Sequence, residues 1–199
     1  MMTDTKEHII NTATSLFLQK GFKEVTMKQL VEHAGVSKGA FYHYFTSKEQ
    51  VFEEVVLSFF NAVKVSDFHL LSTTSLKQFY TNWVKTFFTS KNKLNSIAKG
   101  GNEFTQNHYY IIFDGLRLVP SFRKMFDEEQ KNETDAWITI IDVAKENKEI
   151  KSILPSRDIA KMFMYIADGL GTDLLMRNDA GSLEAETLKA WDTIYTLLQ

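Results

Sequence analysis

The stretch Thr26-Met27-Lys28-Gln29-Leu30-Val31-Glu32-His33-Ala34-Gly35-Val36-Ser37-Lys38-Gly39-Ala40-Phe41-Tyr42-His43-Tyr44-Phe45 reads as two short helices joined by a tight turn. Thr26 followed three residues later by Gln29 forms a capping box: the hydroxyl accepts an amide proton of the first turn, and the Gln29 side chain reaches back. A helix over Met27–Ala34 follows. Gly35 ends it, because glycine takes the left-handed conformation of a helix stop without steric cost. Ser37 then caps a second helix over Lys38–Phe45. Two short helices with a three-residue joint are the layout of a helix-turn-helix, whose second helix lies in the major groove of DNA. Glycine-stopped helix pairs are common in all-helical proteins, so the side chains must carry the argument. Lys38, Gly39, Ala40, Tyr42, His43 and Tyr44 combine a cation, small residues and polar-tipped rings. The small residues let the helix amino terminus approach a duplex, where its amide dipoles favour phosphate, and Lys38 can donate to guanine acceptors. Phe41 and Phe45 fall on the opposite face and read as core, and Tyr44 falls between core and phosphate contact, leaning to core.

Working outward, Ile9, Ile10, Ala13, Leu16 and Phe17 recur at three- and four-residue spacing, which predicts a first helix over Asp4–Lys20 with Gly21 at its stop. Ser47-Lys48-Glu49-Gln50 is a second capping box, opening a longer connecting helix, about Glu49–Val65, with Val51, Phe52, Val55, Val56, Phe59 and Phe60 on its apolar face. Further helices are expected over 75–90, 102–114, 120–146, 157–178 and 182–198, with Pro120 in a first turn, Asn147 at a left-handed stop, and Ser156 and Ser182 as N-caps. With two prolines, nine glycines and no alternating strand-like run, the fold class is all-α. It divides into an N-terminal three-helix helix-turn-helix domain, residues 1–47, and a larger helical domain, residues 48–199.

Composition narrows the function classes. The absence of cysteine removes disulfide frameworks, thiolate metal sites and cysteine nucleophiles, and suits a reducing compartment. The amino terminus lacks the basic start and apolar block of a secretory signal. The longest run free of charged residues, His8–Gln19, is far shorter than the roughly 18 apolar residues of a membrane span. A soluble, cytoplasmic protein without membrane association is expected. The net charge of −2 argues against a general nucleic-acid coat. Residues 1–50 carry six lysines and five acids, while the remainder carries 17 basic and 20 acidic residues, so the asymmetry is weak. No Gly-x-Ser-x-Gly elbow, His-Glu-x-x-His pair or phosphate loop is present, so no catalytic residue, cofactor or metal site is expected and the chain does not read as an enzyme.

Gly21-Phe22, Val25-Thr26-Met27, Ala34-Gly35-Val36-Ser37-Lys38-Gly39-Ala40, Tyr42, Tyr44-Phe45 and Lys48-Glu49 together resemble the amino-terminal signature of TetR-type (TetR/AcrR) transcriptional regulators. The match runs from about Ile9 to Val55. Many spaced positions agree together, which makes the motif specific. The resemblance implies that the Lys38–Phe45 helix reads the major groove and that Thr26 and Lys48 contact the phosphate backbone. The implied DNA-binding set is Thr26, Ser37, Lys38, Gly39, Ala40, Tyr42, His43 and Lys48. Two departures stand out: Val31 replaces a frequent small alanine, and residues 1–50 contain no arginine. Base discrimination then falls to Lys38, Tyr42 and His43, without bidentate arginine contacts to guanine.

The resemblance also implies a double-stranded DNA partner, a homodimer, and a small apolar or aromatic effector held in the second domain. Aromatic stripes at helical spacing are more often packing than ligand site. By analogy, Trp83, Phe87, Phe104, His108, Phe113 and Trp137 are the effector candidates, with His108 orienting the ligand; no second ligand at suitable spacing makes it a metal site. Phe163, Ile166, Gly169, Leu170, Trp191 and Ile194 are the candidates for a dimer interface formed by the last two helices. The acidic run Asp127–Asp135 reads as solvated surface. The implied function is a ligand-responsive regulator, a repressor that binds a palindromic operator as a homodimer and is released by its effector. The alternative is a helix-turn-helix regulator controlled by a protein partner, without a small-molecule pocket.

Overall fold

The computed structural model describes residues 2–65, 67–97, 106–177 and 179–199, and among them there are α-helices and 3₁₀ turns but no strand. The helices are α1 (Met2–Glu24), α2 (Met27–Ala34), α3 (Lys38–Tyr44), α4 (Lys48–Val63), α5 (Leu76–Ile97), α6 (Gln106–Leu118), α7 (Pro120–Glu146), α8 (Ser156–Met176) and α9 (Leu183–Leu198). Short 3₁₀ turns at Phe68–Leu70 and Ala180–Ser182 are additional to the sequence reading. The chain groups into two compact units, Met1–Val63 with Lys91–Met125, and Lys64–Ser90 with Phe126–Gln199.

The first unit is built around α1 and α4. Ile9, Ala13, Leu16 and Phe17 of α1 and Val51, Phe52, Val55, Val56 and Phe59 of α4 are all buried. Phe17 and Phe52 meet edge-to-face at 5.1 Å, and Phe22 closes on Phe52 at 4.6 Å. Gly21, with φ 73° and ψ 165°, breaks the helical path within α1, so the regular helix ends where the sequence places its stop. Lys6 ties α1 to Glu54 of α4 at 2.7 Å. The third member is α6, which packs on both α1 and α4. Gly115 makes that approach possible: a Cβ there would lie 2.6 Å from Val56 Cγ1 and 2.9 Å from Phe122 Cδ1.

The second unit is held by an aromatic cluster. Trp137 and Phe163 stack at 5.0 Å, Trp191 meets Trp137 edge-on at 5.2 Å, and the Trp191 Nε1–H donates to the Phe163 carbonyl at 2.8 Å. The indole proton is therefore satisfied inside the apolar cluster that its ring helps to fill. One carboxylate organises the ends of three segments. Glu149 accepts from the backbone N–H groups of Leu76 (2.9 Å) and Lys77 (3.0 Å), from the Ser75 hydroxyl (3.0 Å) and from the Tyr195 phenol (3.2 Å). An anion at the start of α5 satisfies amides that have no partner within the helix and sits at the positive end of its dipole.

Several local expectations shift. The left-handed residue after α7 is Lys148 (φ 58°), one residue beyond Asn147. Neither Ser156 nor Ser182 caps a helix with its side chain: the Ser156 hydroxyl pairs with Asp142, and that of Ser182 donates to the Asp179 carbonyl at 3.0 Å. Glu129 and Glu133, inside the acidic run read as solvated, are half-buried instead. They lie one turn apart on the face of α7 that continues to Trp137, and Glu129 pairs with Lys64.

Candidate nucleic-acid interface and effector region

The α2–α3 pair is closed by local hydrogen bonds. Thr26 Oγ1 accepts from the Gln29 N–H at 3.3 Å, and the Gln29 side chain accepts from the Thr26 N–H at 3.0 Å, completing the capping box. Gly35 takes the left-handed C-cap (φ 63°). Ser37 Oγ accepts from the Ala40 N–H at 3.2 Å and fixes the start of α3. Phe41 and Phe45 are buried, so α3 is bolted down on one face, while Tyr44 is half-buried.

The other face is open. Ser37, Lys38, Gly39, Tyr42 and His43 are exposed and Ala40 is half-buried. A Cβ on Gly39 would meet nothing within 4 Å, so the helix start has room for a close-lying partner. The Lys38 ammonium lies 5.9 Å from the Tyr42 ring centroid, which brings the cation and the phenol to one patch. Thr26 is exposed at the start of α2.

Lys48 has a structural role that the sequence did not disclose. Its ammonium donates to the Phe22 carbonyl at 2.9 Å and lies 4.3 Å above the Phe22 ring. The residue that opens α4 thereby holds the segment just beyond the Gly21 break. Ser47 Oγ accepts from the Gln50 N–H at 3.2 Å, and the Gln50 side chain accepts from the Thr46 N–H at 2.9 Å, so the reciprocal bond reaches one residue further back than a capping box predicts.

The effector candidates do not all fall in one unit. Trp83 and Phe87 of α5 stack at 5.2 Å and 14°, and Trp83 also meets Trp191 at 5.3 Å. Trp137 joins the same cluster through Trp191 and is fully buried. His108 and Phe113 belong to the first unit, where His108 is buried beside Phe59 at 5.7 Å and Phe113 is exposed. Phe104 lies outside the described residues. Among the described residues the second unit has a cleft of about 540 Å³ lined by residues including Lys64, Leu71, Asn82 and Lys85, a shallow one of about 600 Å³ along α9 at Leu188 and Asp192, and one of about 190 Å³ lined by residues including Phe68, Phe79 and Ile140. None of these is walled by Trp83, Phe87 or Trp137.

Of the residues expected at a dimer interface, Phe163, Trp191 and Ile194 lie in the chain's own core, where they are unavailable to a partner. Their stripe points inward because α8 and α9 pack on each other and on the aromatic cluster. Ile166 and Leu170 are half-buried, Gly169 is exposed, and Met162, Tyr165, Met176 and Leu197 add exposed apolar surface on the same two helices.

Glu133 is the functional-looking residue that the sequence reading missed. Its Oε1 receives a long 3.4 Å hydrogen bond from the Trp137 Nε1–H. The Trp83 Nε1–H is buried and closes no hydrogen bond, although it is directed to the same carboxylate. Burial, with Asp168 and Glu129 adding repulsion against the relief from the two indoles, holds the Glu133 carboxyl up at about 7. Four-residue spacing of Glu129, Glu133 and Trp137 was the available signal.

A recognition helix clamped by capped turns, on a chain that shows helices and no strand among its described residues, defines a helix-turn-helix DNA-binding regulator. Residues 9–55 match the sequence profile of bacterial regulatory proteins, tetR family. The amino-terminal region of the chain is thus a TetR-type DNA-binding domain. It is 22% identical over 187 residues, covering 91% of this chain and 83% of its relative, to the HTH-type transcriptional repressor KstR2 of Mycolicibacterium smegmatis. It is 50% identical over 46 residues, 23% of each chain, to the HTH-type transcriptional repressor NemR of Escherichia coli K12. The solved SmeT–triclosan complex shares the fold at a TM-score of 0.63 and 16% identity, over 98% of this chain and 91% of that one. The likeness therefore concentrates in the head, while the rest of the chain keeps the fold with little sequence in common.

Proposed function

We propose that this protein is a ligand-responsive repressor that binds a palindromic operator as a homodimer and is released by a small effector. The observation that carries the reading is the asymmetry of α3: Phe41 and Phe45 fix one face, while Lys38, Gly39, Tyr42 and His43 stand free on the other. Residues 1–47 act as the reading head. Lys38, Tyr42 and His43 contact base edges, and Thr26, Ser37 and Lys48 address phosphates, with Gly39 and Ala40 permitting close approach. For the Lys48 ammonium to do so it must share or exchange the Phe22 carbonyl. The homodimer is formed by the exposed apolar surface of α8 and α9, around Ile166, Gly169 and Leu170. The repressor function of KstR2 and NemR and the binding of triclosan by SmeT support the reading.

Switching follows from the composition of the first unit. Because α6 packs on α1 and, with Gly115 against Val56, on α4, any displacement of α6 acts on the helices that carry the head. An effector that engages α6, at His108 or Phe113, lowers operator affinity to the extent that it prefers the displaced arrangement. The test is selection of bound fragments from the source genome, followed by titration at several salt concentrations. Two-fold related half-sites about 34–36 Å apart, or a multiple of that spacing, and a steep loss of affinity with salt are expected. Equal binding to genomic and random duplex refutes the proposal.

A further inference from the structure

We infer that the cluster of Trp83, Phe87, Glu133 and Asp168 is a recognition site for an organic cation, an amine or quaternary ammonium carried on an aromatic or alkyl body. The inference rests on the reading of an effector-controlled regulator, places a ligand in the second unit apart from His108 and Phe113, and names the ligand's chemistry, which neither the fold nor the relatives specify.

Three observations converge. Trp83 and Phe87 form a near-parallel pair at 14°, and both are only partly buried, so part of the pair is open to a third group. The faces of such rings are negative and attract a cation, most strongly when water is excluded. Close to Trp83, Glu133 is a carboxylate with no basic partner among the described residues: the acid one turn before it is paired with Lys64, whereas Glu133 receives only the long hydrogen bond from Trp137. Asp168 on α8, one turn beyond the Met164 that touches Thr134 of α7, adds a second carboxylate close enough to repel the first. It too has no basic partner among the described residues. Two carboxylates that repel one another, one of them beside two indoles, constitute an electrostatic deficit, which one positive charge relieves.

The orphaned Trp83 Nε1–H fits the same account. A protonated carboxyl group commits one oxygen to its own proton, whereas an ionised carboxylate offers acceptor sites on both oxygens. A bound cation favours the ionised form of Glu133, which can then accept from both indoles. A neutral ligand brings no such gain. The burial that raises Glu133 becomes a means of discrimination, because the empty site is partly neutral and the loaded site is fully charged.

The experiment uses the full-length protein and an isosteric pair, benzyltrimethylammonium and its neutral carbon counterpart neopentylbenzene, with binding read by tryptophan fluorescence. The cation should bind about tenfold or more tightly than the neutral probe. Glu133→Gln should abolish that preference while leaving the neutral probe unaffected. Asp168→Asn, at an exposed position where the substitution leaves the interior intact, should reduce the preference in the same direction and keeps the test open if Glu133→Gln fails to fold. Equal binding of the two probes, a preference that survives both substitutions, or failure of the cation to bind overturns the inference. Cation-selective binding that leaves operator affinity unchanged sustains the site and shows that its ligand is not the releasing effector.

Discussion

Gly115→Ala should be among the most informative single substitutions in the chain. The added Cβ would lie 2.6 Å from Val56 Cγ1 and 2.9 Å from Phe122 Cδ1, against an ordinary carbon–carbon contact of about 3.5–4.0 Å. Val56 and Phe122 are both fully buried, and the β-branched valine on a helix has one strongly preferred rotamer. The overlap must therefore be relieved by moving α6 away from α4 by about 1 Å, not by a side-chain swing. Overpacking of that kind costs about 1–3 kcal/mol. For a chain of this length each kcal/mol lowers Tm by about 2–4 °C, so a fall of about 2–12 °C is expected. Thermal unfolding followed by circular dichroism measures it, with operator titration alongside. The strain should be specific to the contact. Val56→Ala alone destabilises by removing buried methyl groups, but in the Gly115→Ala background it makes room for the new Cβ, so the double variant should be more stable than the sum of the singles by about 0.5–3 kcal/mol. Wild-type stability in Gly115→Ala, or strict additivity in the cycle, would refute the claim that this glycine is a contact point between α6 and α4.

Lys38→Ala and Tyr42→Ala should relax base preference at one position by about 1–3 kcal/mol in a binding-site selection, whereas Lys48→Ala should weaken all sequences equally. Lys48→Ala should also lower Tm slightly, because its ammonium no longer holds the Phe22 carbonyl and ring. Glu149→Ala should cost about 0.5–2 kcal/mol in thermal unfolding through loss of the cap on α5, and Glu149→Gln should recover part of it. Glu133 titrates higher in the folded protein than unfolded, so the native state binds the extra proton between pH 4.5 and about 7. Its contribution to stability is therefore fully present below pH 4.5 and is lost as pH rises towards 7. Melts of Glu133→Gln should consequently gain on wild type across that window, and an unchanged difference would remove the buried-carboxyl account. Leu170→Asp should yield monomers in sedimentation with the fold intact, whereas Ile194→Asp, in the core, should unfold the chain.

What the sequence made legible was local. The helices α2 and α7 coincide with their expected limits because each end is written in adjacent residues, Thr26 with Gln29 and Gly35 in one case and Pro120 in the other. The orientation of α3 was legible for the same reason, since a four-residue interval separates Phe41 from Phe45 and decides which face turns inward. Long-range pairings left no such trace. Nothing adjacent to Gly115 indicates that Val56 will lie against it, and the inward turn of Phe163, Trp191 and Ile194 depends on where Trp137 arrives from α7. A stripe of apolar residues states that one face is covered but not by which neighbour. Glu133 was hidden by its company, because a run of acids normally marks water and only register with Trp137 distinguishes the one that enters an aromatic surround.

The four-fold coordination of Glu149 also has a consequence for exchange kinetics. Helix ends ordinarily fray, and their amides exchange with solvent at nearly the unprotected rate. Here the last turn of α9 is fastened twice, by the Tyr195 phenol on Glu149 and by the Lys151 N–H donating to the Leu198 carbonyl at 2.7 Å. The same carboxylate holds the first amides of α5. The opening of α9, of the segment after α7 and of the α5 start thus becomes one cooperative event, so the end of α9 behaves as interior structure on the hydrogen-exchange timescale.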